Sequence, residues 1–406
     1  MHFKLAFGSS LLLAGGSAAV PTSDNAASQG FNPSNAMLQQ INDYALSVAK
    51  AKIPANSTTC TADKLVVRKY WGDLSASERI AYTDAVQCLM TSPAKTPSEL
   101  AIGAKTRYDD WVVTHINQTN TIHATASFLG WHRWFTWSYE QALREECNYT
   151  GTQPYWDWTR TAETGMSASP LFDGSETSLS GDGLSLNYTN ADYISINADG
   201  PGPIYLSAGS GGGCVTSGPF VNMTVNLGPA GLTTINGGSE SAPNGDLFHY
   251  NPRCLKRSFT DDSNRRFGNM SAVLYLLRNP QDIWDFENTM QGYYNAPSIG
   301  VHGGGHFTLG GDPGRDLYVS PGDPAFYSHH AMIDRVWWLW QMLSPDERTN
   351  RVLGINGALT SNNLTEPYGN GTASDLQDLG FVAEGERHEL GELLDTTSGM
   401  FCYVYE

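Results

Sequence analysis

The chain has 406 residues, of which 40% are hydrophobic, and it carries 11 tryptophans and 19 tyrosines. This length and composition allow a large hydrophobic core in one or two domains. The formal net charge of −17 argues against nucleic acid and against anionic membrane surfaces as partners. An acidic balance of this size is typical of a soluble secreted protein.

The first 19 residues have the three parts of a secretory signal. Lys4 supplies the positive charge, residues 5–13 form the apolar run, and Ser17-Ala18-Ala19 is the small-residue cleavage site. The apolar run is too short to span a bilayer, and no later stretch is long and apolar enough to do so. We therefore exclude residues 1–19 from the fold, treat residues 20–406 as a single domain, and expect an extracellular protein.

The N-terminal part of the mature chain is predicted to be helical. Residues 33–52 place apolar side chains on one helical face, and a serine near residue 75 can cap a helix over residues 78–90. Two further helices are predicted over residues 107–116 and 127–146. The first carries His115 near its end and the second carries His132, while His123 falls on a less regular stretch between them.

Between residues 161 and 257 the composition changes to Gly, Ser, Asn and Thr, and helical periodicity is absent. We interpret this region as a loop-rich insertion with a few short strands. Because a structureless loop of this length is uncommon in a compact domain, the cysteines at 214 and 254 are expected to pin it. Helices are predicted again over residues 269–278 and 280–294, and a short strand over residues 399–405.

A second set of histidines lies in the C-terminal half. His302 and His306 are four residues apart, which places both on one face of a helix. A helix without Gly or Pro is predicted over residues 326–340, and it carries the pair His329 and His330. Adjacent side chains on a helix point about 100° apart, so only one histidine of the pair can face a metal ion.

Two sets of three histidines imply two metal ions. Three imidazoles without a nearby cysteine or second carboxylate suit copper or zinc, and neutral imidazole binds both Cu(I) and Cu(II). Zinc has no redox chemistry, so a dizinc enzyme would be a hydrolase at best, with Asp or Glu ligands that these motifs do not offer. A protein with redox-silent structural zinc remains an alternative interpretation.

Six cysteines are scattered along the chain without a C-x-x-C pair. In an exported protein this pattern predicts three disulfides rather than a metal site. Six cysteines allow many connectivities, so the sequence leaves the pairing open; our working hypothesis is Cys60–Cys402, Cys88–Cys147 and Cys214–Cys254. The density of N-x-S/T sequons predicts N-glycans on surface loops. The sequons begin at Asn56, Asn117, Asn148, Asn187, Asn222, Asn269, Asn363 and Asn370.

Three motifs make the chain similar to the tyrosinase and catechol oxidase family of type-3 copper proteins, close to its short fungal members. They are F-L-G-W-H-R-W-F-T-W from Phe128, Tyr155-Trp156-Asp157-Trp158, and D-P-A-F-Y-S-H-H-A-M-I-D-R-V-W from Asp323. The resemblance covers residues 68–405, and the last of these motifs is long and specific.

The resemblance implies a mainly α fold, in which a four-helix bundle holds a dinuclear copper site, with long loops and few short strands. It implies copper A on three histidines: His115, His123 and His132. It implies copper B on three others: His302, His306 and His330, the second histidine of the pair. The resemblance ends near the C-terminus of the chain, so no C-terminal domain that shields the site is expected.

Other side chains are predicted to surround the ligands. Asp157 and Asp334 are expected to hold ring nitrogens of ligand imidazoles, and Phe326 is expected to lie in the same surrounding layer. The alternative for both carboxylates is an ion pair with Arg133 or Arg335. The many tryptophans of the motifs are expected to form core that keeps the site dry.

Two positions depart from the wider family. Many fungal members carry a cysteine two residues before the second copper A histidine, but this chain has Thr121, so no Cys–His thioether is expected. Many tyrosinases carry Asn after the first copper B histidine, but this chain has Gly303. An acid shortly before that histidine is also missing, which leaves Glu287 as the nearest candidate to position a water that takes the phenol proton.

Together these features predict oxidation of o-diphenols (catechols) to o-quinones, with two copper ions as cofactors and O2 as co-substrate. Because Gly303 has no side chain, we predict weak, lagging hydroxylation of monophenols. Leu317, at the family's gate position, and Phe307 are candidates for lining the entrance for small phenols, with ordinary packing as the alternative. A full tyrosinase and a hemocyanin-like O2 carrier remain alternatives. The natural substrate and the oligomeric state stay open.

Overall fold

The computed structural model describes residues 33–196, 202–292, 298–349 and 371–406. The predicted signal at residues 1–19, the sequons at Asn363 and Asn370, and the end of the helix predicted over residues 280–294 lie outside these ranges. Within the described ranges, none of the helices has the length and apolar character needed to cross a membrane.

The fold is mainly α, as predicted. Its helices are α1 (Pro33–Lys52), α2 (Ala76–Thr91), α3 (Arg107–Ile122), α4 (Phe128–Cys147), α5 (Trp158–Thr164), α6 (Asp261–Phe267), α7 (Met270–Arg278), α8 (Ile283–Gln291), α9 (Gly300–Leu309), α10 (Ala325–Met342) and α11 (Pro345–Arg348). Its strands are β1 (Val66–Arg68), β2 (Gly183–Ser185), β3 (Tyr193–Ile196), β4 (Ile204–Ser207), β5 (Gly212–Val215), β6 (Thr224–Val225), β7 (Leu232–Thr233), β8 (Ser239–Glu240), β9 (Arg253–Cys254), β10 (Leu376–Asp378), β11 (Arg387–Glu389) and β12 (Tyr403–Tyr405).

Helix α10 lies at the centre of the molecule. Every residue from Ala325 to Met342 is buried, so the rest of the fold surrounds this largely apolar helix on all sides. Helices α4 and α9 pack on α10, and α3 packs on α4. These four helices form the bundle that the sequence predicted, and all of the candidate metal ligands lie on them or at the end of α3.

Helix α3 runs further than predicted. It begins with a capping box between Thr106 and Asp109, in which each side chain accepts from the other residue's backbone N–H. It ends at Ile122 rather than near residue 116, because Thr119 and Ile122 continue its buried face. The prediction that His115 lies near the end of this helix was therefore wrong. His123 is the residue that ends it.

The region after α4 is loop-rich, as predicted, and its strands β2 to β9 form only two-stranded pairs. The sequence did not predict two short helices: α5, which overlaps the start of this region, and α6, which follows its end. In α5, the Asp157 carboxylate accepts from the backbone N–H of Thr159 at 3.0 Å, which is an ordinary N-terminal cap. Helix α6 follows the insertion and packs on α9.

All three disulfides of the working hypothesis are confirmed: Cys60–Cys402, Cys88–Cys147 and Cys214–Cys254. The first lies beside the parallel pairing of β1 with β12, in which Val66 is the partner of Tyr403. Among the sequons in the described ranges, the asparagine is exposed at Asn56, Asn117, Asn148, Asn187 and Asn222 and half-buried at Asn269. Their glycosylation stays a prediction.

Candidate metal centre

Seven histidines gather in the bundle as two groups. Within each group the candidate ligand nitrogens lie within 4.8 Å of one another. The first group comes from α3 and α4: His115, His123 and His132. The second comes from α9 and α10: His302, His306, His329 and His330. In the described part of the chain, neither group includes a cysteine or a carboxylate.

The two groups are adjacent. The rings of His132 and His330 are nearly parallel, with centroids 4.6 Å apart and 14° between their planes. The rings of His123 and His302 have centroids 5.9 Å apart. The four helices therefore bring two clusters of imidazoles into one site, as two neighbouring metal ions would require.

Two imidazoles of the first group are oriented by their own helical turn. Nδ1 of His123 lies 2.9 Å from the carbonyl oxygen of Thr119, and Nδ1 of His132 lies 2.7 Å from that of Phe128. A carbonyl only accepts hydrogen bonds, so Nδ1 carries the proton and the lone pair is left on Nε2. Such a bond on one ring nitrogen fixes the other as the metal-binding atom.

The loop over residues 310–324, between α9 and α10, orients one imidazole of each group. Nδ1 of His115 lies 2.8 Å from the carbonyl oxygen of Tyr318. Nδ1 of His306 lies 3.0 Å from the carbonyl oxygen of Gly314. Sequence reasoning missed these partners, because backbone carbonyls carry no sequence signal and Tyr318 lies far from His115 along the chain.

Several of the remaining ring nitrogens are buried without protein partners. This holds for Nε2 of His115, His132 and His302 and for both ring nitrogens of His330. Buried polar atoms without a partner are rare and need an explanation, and metal ligation supplies one. Burial is also the main cause that lowers the pKa of every histidine in both groups, which leaves neutral imidazoles with free lone pairs at neutral pH.

His329 differs from the other six histidines. Its Nδ1 lies 3.0 Å from the indole Nε1 of Trp158, and its Nε2 lies 3.0 Å from the carbonyl oxygen of His302. Both of its ring nitrogens therefore have protein partners, whereas neither nitrogen of His330 does. This difference favours His330 as the sixth ligand.

Aromatic rings enclose the two groups. Phe326 stacks on the ring of His330, with centroids 4.1 Å apart, so it lies against a candidate ligand. Phe128 contacts His132 and His302, each at a centroid distance of 4.8 Å. These apolar rings limit the access of bulk water to the imidazoles.

The prediction that Asp157 and Asp334 hold ligand imidazoles was wrong. Asp157 caps α5 and pairs with the largely exposed Arg160 at 3.3 Å. The Asp334 carboxylate accepts from the Arg133 guanidinium at 2.6 Å and from the Tyr405 hydroxyl at 2.6 Å. The alternative of an ion pair with Arg133 is therefore correct for Asp334, because charged donors bind a carboxylate more strongly than a neutral imidazole does.

Glu287 lies on α8 and is 1% exposed. Its buried Oε2 has no hydrogen-bond partner. Burial raises the pKa of Glu287 well above its usual range. One turn later, Gln291 accepts from the backbone N–H of Ala124, next to His123, at 3.0 Å, and its buried amide nitrogen has no partner. Sequence reasoning missed Gln291, although its spacing from Glu287 places both on one helix face.

Three glycines allow α9 to pack tightly. A side chain at Gly304 would overlap Phe267 of α6, and one at Gly305 would overlap the His329 ring. A Cβ atom at Gly303 would lie nearest to Ile299, one turn earlier, with 2.9 Å between the two Cβ atoms. Of the three glycines, Gly303 therefore has the least severe overlap with an added Cβ atom.

The two residues predicted to line the entrance have different surroundings. Phe307 is half-buried and packs against the small cluster that includes Phe267 and Ile299, which supports the alternative of ordinary packing. Leu317 is 47% exposed and directly precedes Tyr318, whose carbonyl orients His115. A role of either residue at the entrance stays a prediction.

The loop-rich insertion holds the loop over residues 310–324 in place. The Arg253 guanidinium binds the Asp312 carboxylate through two hydrogen bonds of 2.6 and 2.8 Å. The fully buried Arg257 binds Asp323 in the same way at 2.8 and 2.7 Å. Since this loop orients one histidine of each group, the insertion stabilises the geometry of the metal centre.

We expect Arg253→Met to weaken copper binding by about 10-fold, because partners that orient ligands typically contribute this much to metal affinity. Competition titration with a chelator measures the change, and circular dichroism checks that the helices are retained. The matched control is Arg265→Met, which removes a 58% exposed arginine whose ion pair with Asp261 spans 4.0 Å. Equal copper affinities for the two variants would contradict the role of the loop.

The chain is similar to known proteins of one family. Residues 105–343 match the family model of the common central domain of tyrosinase. The chain is 42% identical over 340 residues to Tyrosinase P from Aspergillus terreus, covering 84% of this chain and 91% of that protein. It is 37% identical over 374 residues to the N-acetyl-6-hydroxytryptophan oxidase ivoB from Emericella nidulans, covering 89% and 98%.

One solved structure has a similar fold over most of the chain. A mutant of the polyphenol oxidase from Thermothelomyces thermophila is 41% identical, with a TM-score of 0.82, and the match covers 91% of this chain and 97% of that one. The histidine groups described above fit the dinuclear copper site that such relatives imply. The chain belongs to the tyrosinase family of type-3 copper oxidoreductases.

Proposed function

We propose that this protein is a copper-dependent oxidase that converts o-diphenols to o-quinones with O2 and acts only weakly on monophenols. The observation that supports it most is the pair of adjacent imidazole groups, in which each group has buried ring nitrogens without a protein partner. The proposed copper A ligands are His115, His123 and His132. The proposed copper B ligands are His302, His306 and His330.

Two copper ions, when bound, supply the redox chemistry that couples catechol oxidation to the reduction of O2. The protein's part is to keep the imidazoles neutral by burial and to orient them through backbone carbonyls. Neutral imidazole suits both oxidation states of copper, so the ligands need no change of protonation during turnover. Phe128 and Phe326 pack against the rings and restrict the approach of water.

We base the preference for diphenols on the candidates for a base among the residues that the structure describes. A free phenol has a pKa near 10, so at neutral pH only about one part in 1,000 is ionised, and hydroxylation requires the removal of its proton. Burial raises the pKa of Glu287 well above its usual range, which disfavours the carboxylate form that could accept that proton. The Gln291 amide cannot act as a base either, and Gly303 offers no side chain. A catechol can be oxidised without prior hydroxylation.

We expect Gly303→Asn to raise the ratio of monophenol to diphenol turnover, because an amide next to His302 can orient a water for phenol deprotonation. The measurement compares initial rates on tyramine and dopamine for the same copper-loaded preparation. Gly303→Ala is the control, since it introduces the same contact of Cβ with Ile299 without the amide. A wild-type enzyme that hydroxylates tyramine as fast as it oxidises dopamine would show that another group supplies the base.

A substrate panel on copper-loaded protein tests the proposed function. We expect about two copper ions per chain and rapid quinone formation from catechol and 4-methylcatechol. The panel includes N-acetyl-6-hydroxytryptophan, because the name of one relative identifies this compound as its substrate. Reversible O2 binding without quinone formation would indicate an O2 carrier instead, and zinc in place of copper would exclude an oxidase.

We also propose that the protein is secreted and carries N-glycans. The three disulfides support this proposal, because such bonds persist in oxidising compartments. The exposure of five sequon asparagines in the described ranges supports the glycans. Small phenols and O2 are the proposed binding partners.

A further inference from the structure

His329 connects the Tyr155-Trp156-Asp157-Trp158 motif to the metal centre through hydrogen bonds, and both of its ring nitrogens are used in them. Its ring is 2% exposed and lies between the Trp158 indole and the backbone of α9. The Trp158 Nε1 is 3.0 Å from Nδ1 of His329, and Nε2 of His329 is 3.0 Å from the His302 carbonyl oxygen. One imidazole therefore bridges an indole and the backbone of a proposed copper ligand.

These contacts allow only one tautomer of His329. An indole N–H can donate but cannot accept a hydrogen bond, so Nδ1 of His329 must be the unprotonated nitrogen. The single proton of the neutral ring is then on Nε2, and it is donated to the His302 carbonyl. With this arrangement the ring has no lone pair left for a metal ion, although one of its nitrogens lies within 4.8 Å of a ring nitrogen of each other member of the second group.

The packing of α9 depends on the same ring. A Cβ atom at Gly305 would overlap the His329 imidazole, so the glycine is what lets the ring approach the helix. The rings of His329 and His302 are parallel within 6°, with centroids 5.8 Å apart. The ring of His306 is at a centroid distance of 4.7 Å from His329. His329 thus fills the space between α9 and α10 at the turn that carries both α9 histidines.

We propose that Trp158 and His329 form a positioning pair for the second metal site. Trp158 holds His329 in the Nε2–H tautomer, which keeps His329 out of the coordination of the metal and fixes the backbone of His302. The inference rests on the proposed function in one respect, namely that His302 is a copper ligand. It gives the second tryptophan of the motif a role beyond the hydrophobic core.

The tautomer can be tested on metal-free protein, independently of any copper chemistry. In a sample with 15N-labelled histidine, we expect the His329 signals to show a protonated Nε2 and an unprotonated Nδ1. The signals that disappear in His329→Gln assign the residue. In Trp158→Phe the hydrogen bond to Nδ1 is removed, and we expect a mixture of tautomers. A protonated Nδ1 in the wild-type protein would overturn the proposal without any variant.

The positioning role is tested by copper titration. We expect Trp158→Phe to bind one of its two copper ions at least about 10-fold more weakly than wild type, the usual range for partners that orient ligands. Trp156→Phe is the matched control: it removes an equally buried indole whose N–H binds Thr161, not His329. Equal copper affinities in the two variants would overturn the role.

A third comparison covers the case in which Trp158→Phe does not fold. His329→Gln keeps an N–H donor for the His302 carbonyl, whereas His329→Ala does not, so we expect tighter copper binding in His329→Gln than in His329→Ala. Equal binding by these two variants would contradict the proposal. If wild-type protein binds no copper at all, the proposed function fails, and the positioning role fails with it, whereas the nitrogen signals still decide the tautomer.

Discussion

Replacing His330 with alanine is expected to abolish diphenol oxidation and to reduce the bound copper from two ions to one per chain. Both ring nitrogens of His330 are buried without a protein partner, so the protein offers them no role other than metal binding. Without this imidazole, the copper B ion would keep only His302 and His306, and two ligands do not hold it. Metal analysis after gel filtration and quinone absorbance with catechol measure the two effects.

The adjacent histidine provides the control. His329→Ala is expected to keep two copper ions at saturating copper and to lower thermal stability, because its hydrogen bonds to Trp158 and to the His302 carbonyl are lost. If His329→Ala loses a copper ion while His330→Ala retains both, the assignment of the pair is reversed. Alanine at any of the other five proposed ligands is expected to abolish activity as well: His115, His123, His132, His302 and His306.

The features that sequence reasoning predicted well are those with a local signal. The four-residue spacing of His302 and His306 requires only a helix to bring both to one face, and α9 supplies it. The bounds of α1 follow from its amphipathic pattern and agree with the structure. The proline-free and glycine-free run at residues 326–340 lies within α10, which extends it by one residue at its start and two at its end.

Contacts between distant segments were not predictable in the same way. The carbonyl of Tyr318 that orients His115 carries no side-chain signal, and only the packing of the loop over residues 310–324 brings it there. For Asp334, the local sequence pattern led to a wrong prediction, namely that its carboxylate holds a ligand imidazole. Its spacing from His330 places both on one side of α10, but two arginines and two tyrosines from other segments reach its carboxylate.

Asp334→Asn is expected to lower the free energy of unfolding by about 3–5 kcal/mol, the usual cost of removing one partner from a buried ion pair. Asp334 is 3% exposed, and the Arg133 side chain that it binds at 2.6 Å is fully buried. The hydroxyls of Tyr403 and Tyr405 also donate to this carboxylate, at 2.7 and 2.6 Å. The neutral amide cannot balance the guanidinium charge, and β12 loses an anchor to α10.

Urea unfolding of the variants tests this role of Asp334, with Asp157→Asn as the matched control. Both carboxylates looked equally suited to orient imidazoles, but Asp157 pairs with Arg160, whose side chain is 56% exposed, and asparagine also caps helices well. We therefore expect Asp157→Asn to lower the free energy of unfolding by no more than about 1 kcal/mol.

If Asp334→Asn is too unstable to purify, Tyr405→Phe removes a single hydrogen bond to the same carboxylate and is expected to lower the free energy of unfolding by about 1 kcal/mol. If Asp334→Asn has wild-type stability but binds copper more weakly, the carboxylate acts on the metal centre and its structural role is contradicted.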